Sequence, residues 1–403
     1  MRLLRLTTLY PGYIRRFYEA RPGLRRAEYS AQKEALDADA FGWADFWRVA
    51  LAPLGYEVWD VPLNVEPLQR AWARQHLPPG ALHSDPEEIA SRQARAFHPD
   101  ILWFDDDRAN LLHRLRTENG SIRTVLGWSG SSIVDTEALR EVDLMLSCSP
   151  EAVGHYRRRG LRSEVLHHAF DPRVGERLGE RHQRWNVTFI GQLLAGAQYH
   201  DTRRRLLESA LDAVPLSIFS PDGDASIGSR LRALARSGLG RVARGLRRAR
   251  VSERLLHASP LLRRAATWPV PGKRLSPRLR REIKPAVYGM AMYRVLSDSA
   301  VTLNIHADSS PRYASNMRLY EATGVGACLL TDWKENLGSL FEADREVVTF
   351  RTPEECVEKA RWLLENPAAR EAIARGGRAR TLRDHTFARR ASDLDWLIRG
   401  ALR

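Results

Sequence analysis

Short apolar runs alternate with helix-like segments along most of this chain, and the alternation occurs in two successive sets. A strand, a helix and a further strand in regular succession are typical of parallel sheets covered by helices. The first set ends near Phe170. Its predicted strands are Leu3–Thr7, Glu57–Val61, Asp100–Phe104, Arg123–Gly127, Asp143–Ser147 and Glu164–His167. Helical spacing of apolar residues occurs at Trp43–Leu54, Glu87–Phe97, Leu111–Glu118 and Glu151–Arg159.

The second set begins at Trp185, after the segment His168–Pro172. We interpret this segment as a linker because Pro172 disfavours helix at the residue before it. The predicted strands are Val187–Ile190, Leu216–Phe219, Val301–Ile305, Ala327–Thr331 and Val347–Phe350. The predicted helices are Thr202–Ala213, Ala291–Ser297, Asn316–Thr323, Pro353–Glu365 and Pro367–Ala374.

A chain of 403 residues exceeds the size of one ordinary hydrophobic core. The pattern therefore predicts an α/β protein with two doubly wound, Rossmann-like domains that face a central cleft. The N-terminal domain is expected over residues 1–170 and the C-terminal domain over 171–385. Residues 386–403 are expected to form a helix that packs back toward the N-terminal domain. Ligands of open α/β sheets bind at the carboxyl ends of the strands.

The net charge of +14 is concentrated in one segment. Residues 230–284 contain 17 Lys or Arg and two acids, which gives this stretch a net charge of +15. We interpret residues 222–285 as a basic insertion of the C-terminal domain. The segment has no RNA-binding or zinc pattern, which argues against nucleic acid as a partner. Its amphipathic, Arg-rich helices fit an anionic membrane surface, contacted through 228–284, or a lipid-linked acceptor.

The cysteines and the first residues of the chain indicate in which cellular compartment the protein is expected. Cys148, Cys328 and Cys356 are far apart, lie in or next to apolar runs and match no metal-ligand or redox spacing, which predicts buried thiols in a reducing compartment. The N-terminal apolar stretch is interrupted by Arg5 and ended by Pro11, so it fits neither a secretion signal nor a membrane span. We expect a cytoplasmic protein with possible peripheral contact at the inner face of the membrane.

The most informative segment runs from Asn316 to Asp332. It follows the predicted strand 301–305 and a polar loop, continues as a short helix, and breaks at two glycines into another buried strand. The start of a helix offers backbone N–H groups to an anion. Arg318 and Glu321 are three residues apart and therefore share one helix face. Together they could hold a phosphate and a ribose; the alternative is an ion pair at the surface.

The stretch from about 300 to 385 resembles the glycosyl transferase group 1 superfamily, and specifically its spore-maturation CgeB-like branch. The residues that carry the resemblance are NMRLYEATGVGACLLTDWKENLGSLFE and the later RTPEECVEKARWLLENPAAREAIARGGRARTLRDHTFARR. The resemblance implies the GT-B fold, a nucleotide diphosphate sugar as donor, and no catalytic metal or other cofactor. It implies that Glu321 binds the ribose hydroxyls and that Gly324 and Gly326 let the backbone approach the donor.

A second donor-side segment is FIGQLLAGAQYHDTRRR, residues 189–205. By the same resemblance, Gly191 lies where related enzymes cradle the diphosphate. Candidate cations for that diphosphate are His200, Arg203 and Arg204, because Arg supplies paired donors that suit phosphate oxygens. A solvated helix face is the alternative for the two arginines.

One position departs from the family pattern. Many group 1 enzymes carry a second glutamate eight residues before the first, where this chain has Tyr313. The contacts to the sugar hydroxyls must therefore differ, so the identity of the donor sugar does not follow from the resemblance. His306 and Asp308, on the same polar loop, are candidates for part of that role.

The first half supplies the acceptor-side candidates Tyr10, Gly12 and Trp128, with ordinary packing as the alternative for each. Inverting enzymes of this fold often carry a general base on the loop after the first strand. Residues 7–13 contain no His, Asp or Glu, which favours a retaining mechanism. Asp105–Asp107 would suit a metal ion in a different glycosyltransferase fold. Here we interpret the run as the polar edge of the cleft.

The sequence therefore predicts a metal-independent, hexosyltransferase-like enzyme that transfers a sugar to the hydroxyl of a glycan, a lipid-linked glycan or a protein. The expected catalytic residues are His306, Arg318 and Glu321, and Asn316 joins the donor-binding set. The alternative is an inactive binding module of the same fold. That module would attach to anionic membrane or nucleic acid through the basic insertion.

Overall fold

The computed structural model describes residues 1–79, 85–130, 133, 137–193, 200–223 and 275–402. Within these ranges the chain forms two six-stranded sheets in which every pairing is parallel. Helices alternate with the strands in both halves. The predicted α/β architecture with two doubly wound domains is therefore confirmed.

The N-terminal sheet has the strand order β2-β1-β3-β4-β5-β6. Successive residues of β1 point to opposite faces: Leu3 packs in one core cluster and Leu4 in another. Both faces are covered by helices, so the strands read as nearly continuous apolar runs. The strands are β1 (Arg2–Thr7), β2 (Glu57–Pro62), β3 (Ile101–Phe104), β4 (Thr124–Ser129), β5 (Leu144–Ser147) and β6 (Ser163–Val165).

The C-terminal sheet has the order β12-β11-β10-β7-β8-β9. All the predicted strands of both halves occur within a few residues of their expected positions. The two-residue β9 was not predicted. The strands are β7 (Trp185–Ile190), β8 (Leu216–Phe219), β9 (Ile283–Lys284), β10 (Ser299–Asn304), β11 (Cys328–Asp332) and β12 (Val348–Phe350).

The helices of the N-terminal half include three that the sequence analysis did not predict, namely α1, α2 and α4. Pro11 occupies the first turn of α1, where its missing N–H costs nothing. Gly12 and Tyr13, expected in a loop, therefore lie in a helix. The helices are α1 (Pro11–Glu19), α2 (Tyr29–Ala38), α3 (Phe46–Leu51), α4 (Glu66–His76), α5 (Pro86–Phe97), α6 (Ala109–Glu118) and α7 (Pro150–Arg158).

The helices described after residue 170 cover the second sheet and end the chain. They are α8 (Pro172–Leu178), α9 (Asp201–Ala210), α10 (Pro277–Glu282), α11 (Gly289–Ser297), α12 (Arg318–Gly324), α13 (Leu337–Leu340), α14 (Pro353–Glu365), α15 (Pro367–Asp384) and α16 (Phe387–Ala401). The helix α15 continues ten residues beyond the predicted end at Ala374.

The chain crosses between the sheets at Phe170, which bridges to Thr386 on the returning segment. Asp171 is extended and its side chain caps α8 by accepting from the backbone N–H of Arg173. Phe387, at the start of α16, packs against Phe46 of α3 with ring centroids 5.0 Å apart. The last helix thus lies on the N-terminal domain.

Most of the predicted basic insertion lies outside the described residues. Its final part, however, belongs to the folded C-terminal domain. Leu275 and Leu279 are buried in the core of that domain, and Ile283–Lys284 adds the edge strand β9. The three cysteines are buried and free. Among the described residues, no helix is both long and apolar enough to cross a membrane.

Candidate functional site

His306 lies just beyond the carboxyl end of β10, beside the end of β11. Its Nδ1 is 2.7 Å from Oδ1 of Asp332, and its backbone N–H donates to the same oxygen at 3.0 Å. Burial alone would raise the pKa of the Asp332 carboxyl, but His306 and Lys334 hold that pKa well below its usual value. The imidazole is 3% exposed, and its Nε2 has no hydrogen-bond partner among the described residues. Asp332 therefore fixes the ring with Nε2 available for a ligand or a proton.

Asn316 lies on the other side of the same loop, two residues before α12. Its Nδ2 donates to Oδ1 of Asn304 at 2.7 Å, and Nδ2 of Asn304 donates to Thr331 at 2.9 Å. The side-chain oxygen of Asn316 is buried without a partner among the described residues. These side-chain hydrogen bonds link β11 and β10 to the loop that precedes α12.

Arg318 and Glu321 pair on one face of α12, as their spacing predicts. The Nη1 of Arg318 is 2.8 Å from Oε2 of Glu321, and the two side chains are 16% and 6% exposed. Burial raises the pKa of the Glu321 carboxyl, and the charge of Arg318 opposes that rise. The carboxylate of this pair is buried and the guanidinium is only partly exposed, whereas the alternative considered from the sequence placed both at the surface.

Tyr10 brings the N-terminal domain into this site. It follows β1, immediately before α1, and its ring is 68% exposed. The surrounding protein raises the pKa of the phenol by desolvation, Glu321 raises it further, Arg318 lowers it and Asp105 raises it. The pKa of Tyr10 thus responds to charged groups of both domains.

Gly12 and Trp128 have packing roles in the N-terminal half. A Cβ at Gly12 would lie 3.0 Å from the hydroxyl of Tyr288, so the glycine allows α1 to approach the second domain. The ring of Trp128 packs 4.7 Å from that of Trp43 and 5.5 Å from His168. Their acceptor-side roles stay predictions.

Arg203 and Arg204 of α9 bond to other groups of the protein. Arg203 is buried and donates to the carbonyl of Ile305 from Nε and Nη2, and to the carbonyl of Gln192 from Nη1. Burial lowers the pKa of its guanidinium to about 10. It therefore ties the loop after β7 to the loop after β10. Arg204 pairs with Asp201 and Glu208 on its own helix.

The remaining donor-side candidates are the glycines and His200. A Cβ at Gly191 would lie 3.0 Å from the ring of Phe189. At Gly324 it would lie 2.3 Å from the ring of Phe170, so this glycine permits close packing against the crossing segment. Gly326 adopts φ +82°. His200 occupies the position directly before α9. A contact between any of these residues and a donor stays a prediction.

Glu151, in the first turn of α7, was not among the predicted site residues. Its Oε1 accepts from the backbone N–H groups of Arg312 at 3.0 Å and Tyr313 at 3.2 Å. Through these two hydrogen bonds, the N-terminal domain holds the loop that leads to Asn316. A carboxylate at a helix start directly after a strand, as in Ser149-Pro150-Glu151, was the available signal, but its partner lies more than 150 residues away.

In the acidic run Asp105–Asp107, the carboxylates of Asp105 and Asp106 have different partners. Asp106 accepts from Arg108, and Asp105 accepts from the hydroxyl of Thr7 at 3.0 Å. Within the described parts of the chain, no group of three His, Cys, Asp or Glu side chains is arranged to hold a metal ion.

Comparisons with known proteins support the C-terminal motif and the fold. The family model described as "Glycosyl transferase-like" matches residues 231–395. No curated protein matches the chain. Sucrose-phosphate synthase from Thermosynechococcus elongatus shares the fold with 12% identity and a TM-score of 0.53, over 99% of this chain and 98% of that one.

Two further solved structures are similar over the whole length. A glycosyltransferase from Rickettsia africae has 8% identity and a TM-score of 0.55, over 100% of this chain and 98% of that chain. Anabaena HepE, solved in complex with UDP, has 10% identity and a TM-score of 0.50, over 99% and 100%. At such identities the likeness concerns the fold. The chain thus has the GT-B fold, and its residues 231–395 carry a glycosyl transferase-like segment.

Proposed function

We propose that the protein transfers a sugar from a nucleoside diphosphate sugar to an acceptor hydroxyl. The observation that carries this proposal is the Arg318–Glu321 pair, held at 2.8 Å on α12 with its carboxylate buried, within the segment that matches the glycosyl transferase-like family model. Burial of a charged pair costs desolvation energy. A charged pair with a buried carboxylate on the helix that follows β10, together with the unpartnered buried nitrogen of His306, is typical of a ligand site.

Each residue then has a role that its contacts support. Glu321 accepts hydrogen bonds from the ribose hydroxyls, and Arg318 contacts the diphosphate. His306, oriented by Asp332, lies at the sugar or the phosphate nearest to it. Asn316 presents its unpartnered oxygen to the donor. Arg203 acts indirectly, because its N–H groups hold the two loops that flank the donor.

Catalysis in this arrangement rests on positioning and on charge stabilisation. Negative charge develops on the departing diphosphate as the bond to the sugar breaks. Fixed cationic and hydrogen-bonding groups stabilise that charge without reorganising during the reaction. Uridine diphosphate sugars are the first donors to test, since Anabaena HepE, which shares the fold, was solved with UDP.

The test of this proposal is the release of nucleoside diphosphate from a panel of nucleotide sugars by the purified protein. Glycan, lipid-linked and protein acceptors are supplied in turn. Turnover that depends on an acceptor would support the proposal. Nucleotide binding without turnover, even as hydrolysis, would instead favour the inactive binding module. Membership of the CgeB-like branch stays a prediction.

Turnover should persist in a strong chelator. We assign the diphosphate charge to Arg318 and hydrogen-bond donors, so removal of divalent cations should leave the rate unchanged. The measurement compares initial rates in EDTA and in Mg²⁺ or Mn²⁺. A rate that EDTA abolishes and Mn²⁺ restores would contradict the metal-independent mechanism and would return attention to Asp105–Asp107.

The basic segment should govern contact with anionic membrane. Each Lys or Arg near an anionic surface contributes about 1 kcal/mol to binding. Deletion of residues 228–274 should therefore sharply reduce binding to phosphatidylserine vesicles, as raised salt should. The deletion stops at 274 because Leu275 is buried and Ser276 caps α10. Sedimentation with vesicles measures binding, and unchanged sedimentation of the deletion variant would refute this assignment.

A further inference from the structure

Glu151 bridges the two domains at the carboxyl edges of their sheets. It lies in the first turn of α7, shortly after β5, and its partners lie in the loop that follows β10. Its Oε1 accepts from the backbone N–H groups of Arg312 at 3.0 Å and Tyr313 at 3.2 Å. Separation of the two sheets at this edge must therefore break both hydrogen bonds.

Both oxygens of the Glu151 carboxylate are engaged by the protein. Besides the two N–H groups on Oε1, the hydroxyl of Ser149 lies 2.9 Å from Oε2, and that of Ser310 lies 3.3 Å from the same oxygen. A carboxylate has about four acceptor sites. Because these protein groups use them, the effect of Glu151 on a ligand passes through the loop and not through a direct contact.

The C-terminal domain holds the same loop from the other side. The side-chain oxygen of Asn336 accepts from the backbone N–H of Ala314 at 2.6 Å, and its Nδ2 donates to the carbonyl of Ala314 at 3.1 Å. The Nζ of Lys334 donates to the carbonyl of Pro311 at 2.8 Å. The loop is thus held from both domains, and Glu151 supplies hydrogen bonds that come from the N-terminal domain.

The loop connects two of the proposed donor-binding residues. His306 precedes it and Asn316 follows it, and each has a buried side-chain atom without a hydrogen-bond partner among the described residues. A displacement of about 1 Å in groups that position a substrate can lower a rate about 100-fold. The contacts of Glu151 therefore bear on the path of the backbone between these two side chains.

We propose that Glu151 is a positioning residue, which sets the loop 307–315 in its working conformation when the two carboxyl edges are together. This inference rests on the proposed function, in which this loop flanks the donor. Opening of the cleft at this edge releases the N–H groups of Arg312 and Tyr313. Closure returns them to the carboxylate, which the start of α7 also favours electrostatically.

Hydrogen exchange tests this restraint without any donor. Glu151→Ala removes the acceptor, whereas Glu151→Gln keeps one carbonyl oxygen. In Glu151→Ala the amides of Arg312 and Tyr313 should exchange about tenfold faster or more, because a hydrogen bond to a charged group is lost. The amide of Ala314, bonded to Asn336, should exchange as in the wild type. Glu151→Gln should show a smaller increase, and unchanged exchange at both amides in Glu151→Ala would overturn the proposal.

Steady-state kinetics test whether the restraint serves the reaction. The kcat/KM of Glu151→Ala for a nucleotide sugar should fall about tenfold or more, because the groups at either end of the loop are no longer aligned. Its affinity for the nucleoside diphosphate, measured by calorimetry, should stay within about threefold of wild type, which also verifies folding. Glu151→Gln should recover most of the lost kcat/KM. A variant Glu151→Gln as impaired as Glu151→Ala would contradict the role of the carboxylate as an acceptor for the loop.

Glu335→Ala is the matched control. Glu335 also contacts this loop, with the side chain of Arg312 2.9 Å away, but it lies in the C-terminal domain and 40% of its side chain is exposed. An exposed ion pair contributes little, so exchange and kcat/KM should stay within about twofold of wild type. Equal effects of Glu335→Ala and Glu151→Ala, or kcat/KM within twofold of wild type in Glu151→Ala, would overturn the assignment. A wild-type protein that turns over no nucleotide sugar would instead refute the proposed function, whatever the result of hydrogen exchange.

Discussion

Glu321→Ala should bind the donor nucleotide about tenfold to a hundredfold more weakly than wild type, and it should also unfold at a lower temperature. A hydrogen bond that involves a charged group contributes about 1.5–3 kcal/mol, which sets the loss of affinity. The loss of stability follows from burial: the variant leaves Arg318 buried without its carboxylate, and breaking a buried pair costs about 3–5 kcal/mol.

Calorimetry and thermal unfolding of three variants test this expectation. Glu321→Gln keeps one acceptor oxygen and should lose less affinity than Glu321→Ala. Glu342→Ala is the matched control, because Glu342 pairs with Arg345 at the same spacing but both side chains are more than half exposed. An exposed pair is worth less than about 1 kcal/mol, so this control should change neither property. Wild-type affinity in Glu321→Ala would remove Glu321 from the donor site.

Mild acid should destabilise the protein steeply at the crossing between the domains. His167, His168 and His385 lie there, and burial lowers their pKa values to about 4, 3 and 4, with Arg390 adding to each effect. In the unfolded chain these histidines take up protons near pH 6.5, whereas in the folded protein they stay neutral. The stability they contribute is therefore complete above about pH 6.5 and falls as the pH drops toward 4.

Each histidine can lower the free energy of unfolding by up to about 1.4 kcal/mol per pH unit in this window. Urea unfolding at half-unit steps between pH 7 and 4.5 measures the slope. His385→Gln should reduce the slope by up to about 1.4 kcal/mol per pH unit, which corresponds to one proton fewer taken up on unfolding. His113→Gln, which alters a histidine with 65% of its side chain exposed, should leave it unchanged. A flat profile for the wild type would show that these histidines charge freely in the folded protein.

The strands were predictable because buried parallel strands are short apolar runs bounded by polar residues. The helices α1, α2 and α4 were missed where polar and charged residues interrupt the apolar pattern. Proline misled the interpretation twice: Pro11 and Pro172 each begin a helix, although both were interpreted as interruptions. Proline disfavours helix before it and tolerates helix after it, so the same residue marks both a linker and a helix start.

The candidate site was predictable where its residues are close in sequence. The spacing of Arg318 and Glu321 predicted their pairing, but the burial of these side chains depends on the rest of the fold. Asp332, which orients His306, lies 26 residues away, and Glu151 is more distant still. No local pattern indicates such partners, because strand order and domain packing bring them together.

Whether the cleft binds an activated sugar can be measured by thermal unfolding of the wild-type protein in the presence of nucleosides, nucleoside diphosphates and nucleotide sugars. A ligand that binds only the folded state raises the melting temperature in proportion to its binding free energy. We expect at least one nucleoside diphosphate and its sugar derivative to raise the melting temperature, and the parent nucleoside to raise it less. Glu321→Ala should abolish most of the shift. No shift with any nucleoside diphosphate or nucleotide sugar at millimolar concentration would contradict the claim that this cleft binds an activated sugar.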